Sequence, residues 1–366
     1  MRDEEYMAEA LKLAKKGQGR TSPNPMVGAV IVKDGKIVGR GYHKKAGEPH
    51  AEIFAINEAK ELAKDATLYV TLEPCAHYGR TGPCAEAVIK ANIKRVVAAM
   101  KDPNPKVAGK GIKMLGDAGI EVDVGVLEDD AKKLNRAFLK WITTGLPFVI
   151  LKTAMTLDGK IATKTGESKW ITGEVAREKV HELRNNADAI IVGINTVIAD
   201  NPSLTTRLRT GKSKNPIRVI LDSKAKIPLN SKVLTDGEAK TIVVVAENAD
   251  EKNVIAIEST GAEVVVCGKD RVDIKELLKI LGSREITSLL VEGGGEVNYS
   301  FIEQKLFDRV YAFIAPKILG GRNSRLAVAG EGFDSLSDAV LLSNMEVEKL
   351  GVDILITGDR YVYGDN

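Results

Sequence analysis

Apolar side chains at Tyr6, Met7, Ala10, Leu11 and Ala14 recur with helical spacing before Gly17, so residues 4–16 are expected to open the chain as a helix. Two short apolar runs, residues 26–32 and 37–40, flank Lys33-Asp34-Gly35-Lys36, where Asp-Gly supplies the positive φ angles of a tight hairpin. Ile53, Ile56, Ala59, Leu62 and Ala63 then trace a second helical face, which puts His50 and Glu52 in that helix's first turn. Residues 67–72 read as a strand ending in the loop Glu73-Pro74-Cys75, and Pro83-Cys84 begins a helix that runs through Val88 and Ile89. Strands at 95–100 and 122–126, separated by a helical stretch at 107–118, complete a sheet expected to carry helices on both faces.

Beyond Thr143-Thr144-Gly145-Leu146-Pro147 the pattern changes, and the boundary is placed there, giving domains 1–145 and 146–366. Strands at 148–152, 189–192, 218–221, 241–245, 264–266 and 288–291 alternate with helical patterns at 174–186, 274–281 and 297–305. Such alternation implies a largely parallel sheet with covered faces. Strand signals at 311–315 and 353–357, with 360–363, lack intervening helix of normal length, so a mixed sheet is expected. The run Glu292-Gly293-Gly294-Gly295-Glu296-Val297-Asn298 joins a strand to a helix, where glycines let a phosphate reach backbone amides at the positive end of the helix dipole. A plain tight turn explains the same three glycines.

The 366 residues suit two domains. Charge is nearly balanced, with 53 basic and 50 acidic residues interspersed rather than gathered in a stripe, and aromatic residues make up only 5%. Both features weigh against a nucleic-acid partner. No apolar run reaches membrane-spanning length, three cysteines do not make a disulfide framework, and Met1-Arg2-Asp3-Glu4 begins no basic-then-apolar leader. A reduced, unprocessed cytoplasmic protein is expected, acting on a small molecule without a nucleic-acid or membrane partner, and a homo-oligomer is expected as well.

Two of the three cysteines, and His43, His50 and His77 among the four histidines, lie before residue 85. His50, Cys75 and Cys84 offer one imidazole and two thiolates, a soft donor set that selects zinc. Three protein ligands keep a fourth position for water, and zinc lowers the pKa of that water toward about 7. Glu52, two residues after a ligand, is placed to move protons to a ring nitrogen and then to departing ammonia, which predicts a hydrolytic deaminase. His-x-Glu followed by Pro-Cys-x-x-Cys is the pattern of zinc nucleobase deaminases, whereas eight residues separate the cysteines here. Rival readings are a nucleic-acid base deaminase with an accessory domain, a closed structural site completed by His77, and a zinc-stabilised ligand-binding module; in the last two, Glu52 is dispensable. Cys267, at the end of an apolar strand, reads as core.

The stretch Glu73-Pro74-Cys75-Ala76-His77-Tyr78-Gly79-Arg80-Thr81-Gly82-Pro83-Cys84 resembles the bifunctional diaminohydroxyphosphoribosylaminopyrimidine deaminase / 5-amino-6-(5-phosphoribosylamino)uracil reductase family of riboflavin biosynthesis. Thr21-Ser22-Pro23-Asn24-Pro25-Met26-Val27-Gly28 and Lys101-Asp102-Pro103-Asn104-Pro105 are similar to the same family, although Gly82 stands where proline is common. The resemblance implies that Asn24, His43, His77, Arg80, Asp102 and Asn104 contact the pyrimidine and its ribose phosphate. On residue type alone, Asn-Pro and Asp-Pro-Asn-Pro are ordinary turn sequences.

In the second half, Lys152-Thr153-Ala154-Met155-Thr156-Leu157-Asp158-Gly159-Lys160-Ile161-Ala162, Ser168-Lys169-Trp170-Ile171-Thr172 and residues 192–205 with Arg207 resemble the family's reductase domain. The implied fold class is α/β throughout: an N-terminal cytidine-deaminase-like three-layer α/β/α domain and a C-terminal dihydrofolate-reductase-like α/β domain. By that likeness, Ala154, Trp170, Thr196, Asp200, Ser223, Gly293, Gly294, Gly295, Glu296, Val297, Asn298 and Tyr299 line an NADPH site. Lys152, Ser168, Arg184, Leu204, Arg207 and Glu292 hold the substrate, with Arg184 and Arg207 suited to a phosphate monoester through forked, charge-assisted bonds. The expected reactions are zinc-dependent removal of the 2-amino group from the diaminopyrimidinone ribosylamine 5′-phosphate, followed by reduction of ribosyl to ribityl with NADPH.

Overall fold

The computed structural model describes residues 2–76, 78, 82–104 and 107–360, and the chain forms two compact units, residues 1–146 and 147–366.

The first unit begins with helix α1 (Asp3–Ala14), whose first turn carries Asp3, Glu4 and Glu5 at the positive end of its dipole. Strands β1 (Gly28–Lys33) and β2 (Lys36–Tyr42) form the expected hairpin, with Asp34 and Gly35 both at positive φ. Helix α2 (Ala51–Ala59), strand β3 (Thr67–Val70), helix α3 (Cys84–Lys90), strand β4 (Arg95–Ala98), helix α4 (Lys110–Asp117) and strand β5 (Glu121–Val124) follow. The unit ends in α5 (Glu128–Leu134) and α6 (Arg136–Thr144). The sheet order is β2-β1-β3-β4-β5, with β1 antiparallel to β2 and β3, and the β3-β4-β5 pairings parallel.

Glycines set how closely the layers approach. A Cβ at Gly28 would sit 2.0 Å from the Ala10 carbonyl oxygen, and one at Gly41 would sit 2.0 Å from that of Ala51. Gly41 pairs with Ala29, whose neighbour is Gly28, so α1 and α2 lie on opposite faces of the sheet. Ala51, Ala55 and Ala59 are the small residues that α2 turns toward the core. The hydrophobic centre is Met7, Ala10, Val30, Ile31, Leu68, Val88, Val96 and Leu115, all fully buried.

In the second unit, β6 (Phe148–Thr156) is followed by α7 (Glu174–Asn186), β7 (Ala189–Gly193), α8 (Ile194–Asp200), β8 (Ile217–Leu221), α9 (Lys232–Thr235), β9 (Thr241–Val245) and α10 (Glu251–Glu258). Strand β10 (Glu263–Val266), α11 (Ile274–Ser283), β11 (Ser288–Val291), α12 (Gly295–Glu303), β12 (Arg309–Ala315), β13 (Leu342–Leu350) and β14 (Asp353–Arg360) complete it. The nine strands run in the order β10-β9-β8-β7-β11-β6-β12-β14-β13. All pairings from β10 to β12 are parallel, and β14 and β13 close the edge antiparallel, so the sheet is mixed. Strand β11 inserts between β6 and β7, which creates a topological switch at their C-terminal ends, the place where open α/β sheets bind ligands.

Several elements differ from the sequence expectation. Residues 107–118 yield a helix only from Lys110, because Val107 and Ala108 are spent on turn hydrogen bonds to the Asn104 carbonyl. Helices α5, α6, α8, α9 and α10 are additional, as is β13, whose Ser343–Lys349 stretch is largely exposed and so carries no apolar signal. Of the strand expected at 360–363, Arg360 ends β14 and residues 361–363 lie outside the described residues.

Candidate active sites

In the first unit the helix-opening position of α2 is held by His50, with extended backbone, and Glu52 follows in the first turn. Cys84 is the first residue of α3, where the helix dipole favours a thiolate, and Cys75 lies in the loop after β3. These elements bring His50, Cys75 and Cys84 together, with their ligand atoms all within 4.8 Å of one another. His50 Nδ1 lies 3.2 Å from Cys84 Sγ and 3.6 Å from Cys75 Sγ. The Cys84 backbone N–H donates to Cys75 Sγ at 3.3 Å, which fixes the second thiol against the helix start.

These donors fit zinc. One imidazole and two sulfurs at this spacing can share a tetrahedral ion. Cys84 and His50 hold the Cys75 thiol down at about 4 against the effect of burial, whereas Cys75, burial and Glu52 push Cys84 well above the ordinary thiol range. A divalent cation displaces protons from such a set and relieves the clustering of negative charge. Among the described residues no further His, Cys, Asp or Glu atom joins the group. Glu52 is buried, and its Oε2 has no hydrogen-bond partner within the protein. Burial raises this carboxyl to about 7 despite the opposing charge of His50, a value suited to giving and taking protons near neutral pH.

His43 follows β2 and stands edge-on to the His50 ring, with centroids 5.3 Å apart. Its Nδ1 lies 3.2 Å from the Pro49 carbonyl oxygen, which can only accept, so Nδ1 carries the hydrogen. Burial lowers the pKa of His43, and in the neutral ring Nε2 accepts from the Asn24 amide at 3.1 Å. Asn24 is thereby oriented by a histidine that packs on a metal-site residue. Asp102 and Asn104 occupy a turn in which Asp102 Oδ1 accepts from the Asn104 N–H at 2.9 Å. His77 and Arg80 lie outside the described residues.

In the second unit, register places Val291 beside Leu151, and therefore Glu292 beside Lys152, whose Nζ is 3.4 Å from Glu292 Oε2. Arg184 of α7 donates Nε to Glu292 Oε1 at 2.7 Å, Nη2 to Oε2 at 2.9 Å and Nη1 to the Thr205 carbonyl at 3.0 Å. Three of its N–H groups are thus committed within the protein, and Arg184 anchors Glu292 and the 204–207 loop. In that loop the Arg207 N–H donates to His181 Nδ1 at 3.3 Å, and Leu204 is buried with positive φ. His181, one helical turn from Arg184, was not singled out by the sequence; its spacing on α7 was the available signal.

Ser168 Oγ donates to Asp200 Oδ1 at 3.3 Å. Thr196 Oγ1 would lie 3.9 Å from a Cβ at Gly294, so the starts of α8 and α12 are neighbours. A Cβ at Gly293 would meet Val297 at 2.5 Å, so the chain there has no room for a side chain. Ala154 lies on β6 opposite Phe313, and Trp170 is 61% exposed beneath the Arg177 guanidinium, 4.6 Å from its ring centroid. Three expected cofactor residues have partners of their own: Ser223 Oγ accepts from the Val272 N–H, Asn298 Nδ2 donates to the Ala327 carbonyl and Tyr299 OH to that of Gly332. Glu296 lies in the first turn of α12. Cys267 is buried and donates to the Asp273 carbonyl.

The zinc-binding region of cytidine and deoxycytidylate deaminases matches residues 1–100, and the RibD C-terminal domain matches residues 147–356. The riboflavin biosynthesis protein RibD of Aquifex aeolicus is 49% identical over 98% of this chain and 99% of its own length. That of Escherichia coli is 42% identical over 97% and 99%. Among solved structures, Acinetobacter baumannii RibD superposes with a TM-score of 0.90 at 41% identity, covering 98% of this chain and 99% of that one. A Thermotoga maritima diaminohydroxyphosphoribosylaminopyrimidine deaminase/5-amino-6-(5-phosphoribosylamino)uracil reductase gives 0.85 at 40%, with the same coverage. Likeness at this level over both units, joined to the metal-competent triad and the switch-point topology, means that the chain belongs to the RibD family of riboflavin biosynthesis, a zinc deaminase and an NADPH-using reductase on one polypeptide.

Proposed function

We propose that residues 1–145 remove the 2-amino group of 2,5-diamino-6-ribosylamino-4(3H)-pyrimidinone 5′-phosphate. Residues 146–366 then reduce the ribosyl group to ribityl, giving 5-amino-6-ribitylamino-2,4-pyrimidinedione 5′-phosphate. The observation that carries this reading is the buried, unpartnered Glu52 oxygen beside the His50, Cys75 and Cys84 group. A closed structural site gives such a carboxylate no task.

In the deaminase, His50, Cys75 and Cys84 would hold zinc, which would supply an acidified water as nucleophile. Glu52 would take the proton of the attacking water, give it to the ring nitrogen beside the reacting carbon, and serve again as the ammonia leaves. Asn24, oriented by His43, binds the substrate together with Asp102 and Asn104, and the family resemblance adds His77 and Arg80 to the residues that contact the pyrimidine and its ribose phosphate.

In the reductase, Ala154, Trp170, Thr196, Asp200, Ser223 and residues 293–299 line the cofactor site, and NADPH supplies the hydride. The ribosylamine opens to an imine, and Lys152 and Glu292 provide the fixed charges nearest the reacting carbon, with Asp200 held by Ser168. Arg207, supported by Arg184, Leu204 and His181, takes the phosphate. The substrate and product are small, charged and diffusible, which favours a cytoplasmic enzyme, and a homo-oligomer without nucleic-acid or membrane partners is the proposed form.

The test is a zinc assay on the purified chain, followed by successive measurements of ammonia release and NADPH oxidation on the diamino substrate. One zinc per chain, with NADPH oxidation trailing ammonia release, is expected. NADPH oxidation by the diamino compound with no ammonia released would overturn the proposed order.

A further inference from the structure

Glu73 stands two residues before Cys75 and is 5% exposed. Its carboxylate accepts four backbone N–H groups from a segment far along the chain. Oε2 takes those of Asp102 at 3.1 Å and Gly109 at 3.0 Å, and Oε1 takes those of Gly111 at 2.9 Å and Ile112 at 3.2 Å. The Glu73 N–H in turn donates to the Met100 carbonyl at 3.0 Å. On the same side, a Cβ at Gly111 would lie 1.9 Å from the Pro74 carbonyl oxygen, so the opening of α4 rests directly on the chain leading to Cys75. At its far end, the Cys75 carbonyl accepts from Ala85, in the helix that begins with Cys84.

We infer that Glu73 is a positioning residue of the deaminase: its carboxylate ties the turn bearing Asp102 and Asn104 to the chain segment that supplies Cys75, and so sets where the substrate lies relative to the metal ligands. This rests on the substrate role proposed above for Asp102 and Asn104. An ionised carboxylate receiving four N–H donors is a strong, charge-assisted anchor. A glutamine at the same place keeps one acceptor oxygen and turns an NH2 toward the remaining two donors. The turn then loses its fixed distance from Cys75, although the three metal ligands keep their own contacts.

The experiment measures ammonia release, zinc content and thermal stability for the full-length wild type, Glu73→Gln and Asp102→Asn. For Glu73→Gln the expected result is a KM for the diaminopyrimidinone ribosylamine phosphate raised between about tenfold and a hundredfold, with one zinc per chain and kcat changed far less. Unchanged KM, or zinc lost in step with activity, overturns the inference. If Asp102→Asn leaves KM unchanged, the substrate role of the turn fails instead. If Asp102→Asn raises KM while Glu73→Gln does not, the positioning role fails alone. Should Glu73→Gln not fold, hydrogen exchange in the wild type decides: the amides of Asp102, Gly109, Gly111 and Ile112 exchange slowly if the carboxylate holds them, and exchange at the rate of an open loop would overturn the inference.

Discussion

The Arg184 guanidinium meets the Glu292 carboxylate in a two-point contact, at 2.7 and 2.9 Å, with the two side chains only 13% and 8% exposed. Lys152 adds a second positive charge to the same carboxylate. Removing one member of a buried pair leaves the other charge uncompensated, at a cost of about 3 to 5 kcal/mol. Arg184→Met is therefore expected to destabilise the second unit by about 3 kcal/mol, since Lys152 retains part of the compensation. Urea unfolding followed by Trp170 fluorescence in a Trp141→Phe background reads that unit; an unchanged midpoint would remove the anchoring role of Arg184.

The same group sets an acid limit. Burial alone would raise the Glu292 carboxyl, but the charges of Arg184 and Lys152 and their hydrogen bonds hold it at about 2, below its ordinary value of 4.5. The folded form binds this proton less readily than the unfolded chain, so the stabilisation is complete above 4.5 and is lost as pH falls through about 2. His181 acts at higher pH: burial, then the charges of Arg184 and Arg207, lower it from 6.5 to about 4, so stability begins to fall below 6.5. Glu292→Gln is expected to flatten the lower window while the His181 window remains and deepens, because the Glu292 charge is what partly holds His181 up. Stability profiles from pH 7 to 2 that are parallel for the two proteins would contradict this assignment.

Gly41 controls how closely α2 approaches the sheet, since any Cβ there would overlap the carbonyl of Ala51, the residue between His50 and Glu52. Gly41→Val must push the first turn of α2 outward. The expected result is weaker zinc retention during dialysis against a mild chelator, together with a lower Tm, while Gly35→Ala, which meets no atom within 4 Å, leaves zinc in place. Gly35 has positive φ and loses some stability of its own, so the comparison rests on metal content. Equal zinc retention in Gly41→Val and the wild type would show that the close approach is not what seats His50.

The legibility of this protein in its sequence follows a physical divide. His50, Cys75, Cys84 and Glu52 could be read because metal and proton chemistry restrict residue type, and helix starts restrict position. The central strands could be read because burial on both faces forces apolar runs. Glu73 could not, because its partners are backbone N–H groups, which every non-proline residue carries and no sequence pattern marks. Asp158 accepts from the Leu319 and Gly320 amides more than 150 residues away, which depends on how the tertiary fold returns the chain. Strand β13 escaped because its exposed side chains need no apolar alternation, and its hydrogen bonds to β14 supply what burial does elsewhere. Arg184 was read as a substrate residue from the family resemblance, with a guanidinium suited to phosphate, and its geometry adds an internal duty to Glu292 and Thr205.

Metal dependence should divide the two activities. His50, Cys75 and Cys84 all lie in the first unit, and among the described residues the second unit contributes nothing to any such cluster. A chelator is expected to abolish ammonia release while NADPH oxidation on the already deaminated phosphate continues at its original rate, and added zinc should restore the former. Parallel loss of both activities would refute this independence.

Glu52 offers the sharpest test of the deaminase chemistry. The side chain is buried, lies two residues from His50, and carries an oxygen with no partner in the protein, so an amide of the same shape can occupy its place. Positioned proton transfer contributes about 10² to 10⁴ in rate, and Glu52→Gln forfeits it at more than one step, because the same carboxylate serves the nucleophile and the leaving group. The expected enzyme binds one zinc per chain, keeps its KM within a few-fold, and loses about 10³ or more in kcat. Full deamination by a zinc-loaded Glu52→Gln protein would take the proton-shuttle role away from this residue and return the site to a purely structural reading.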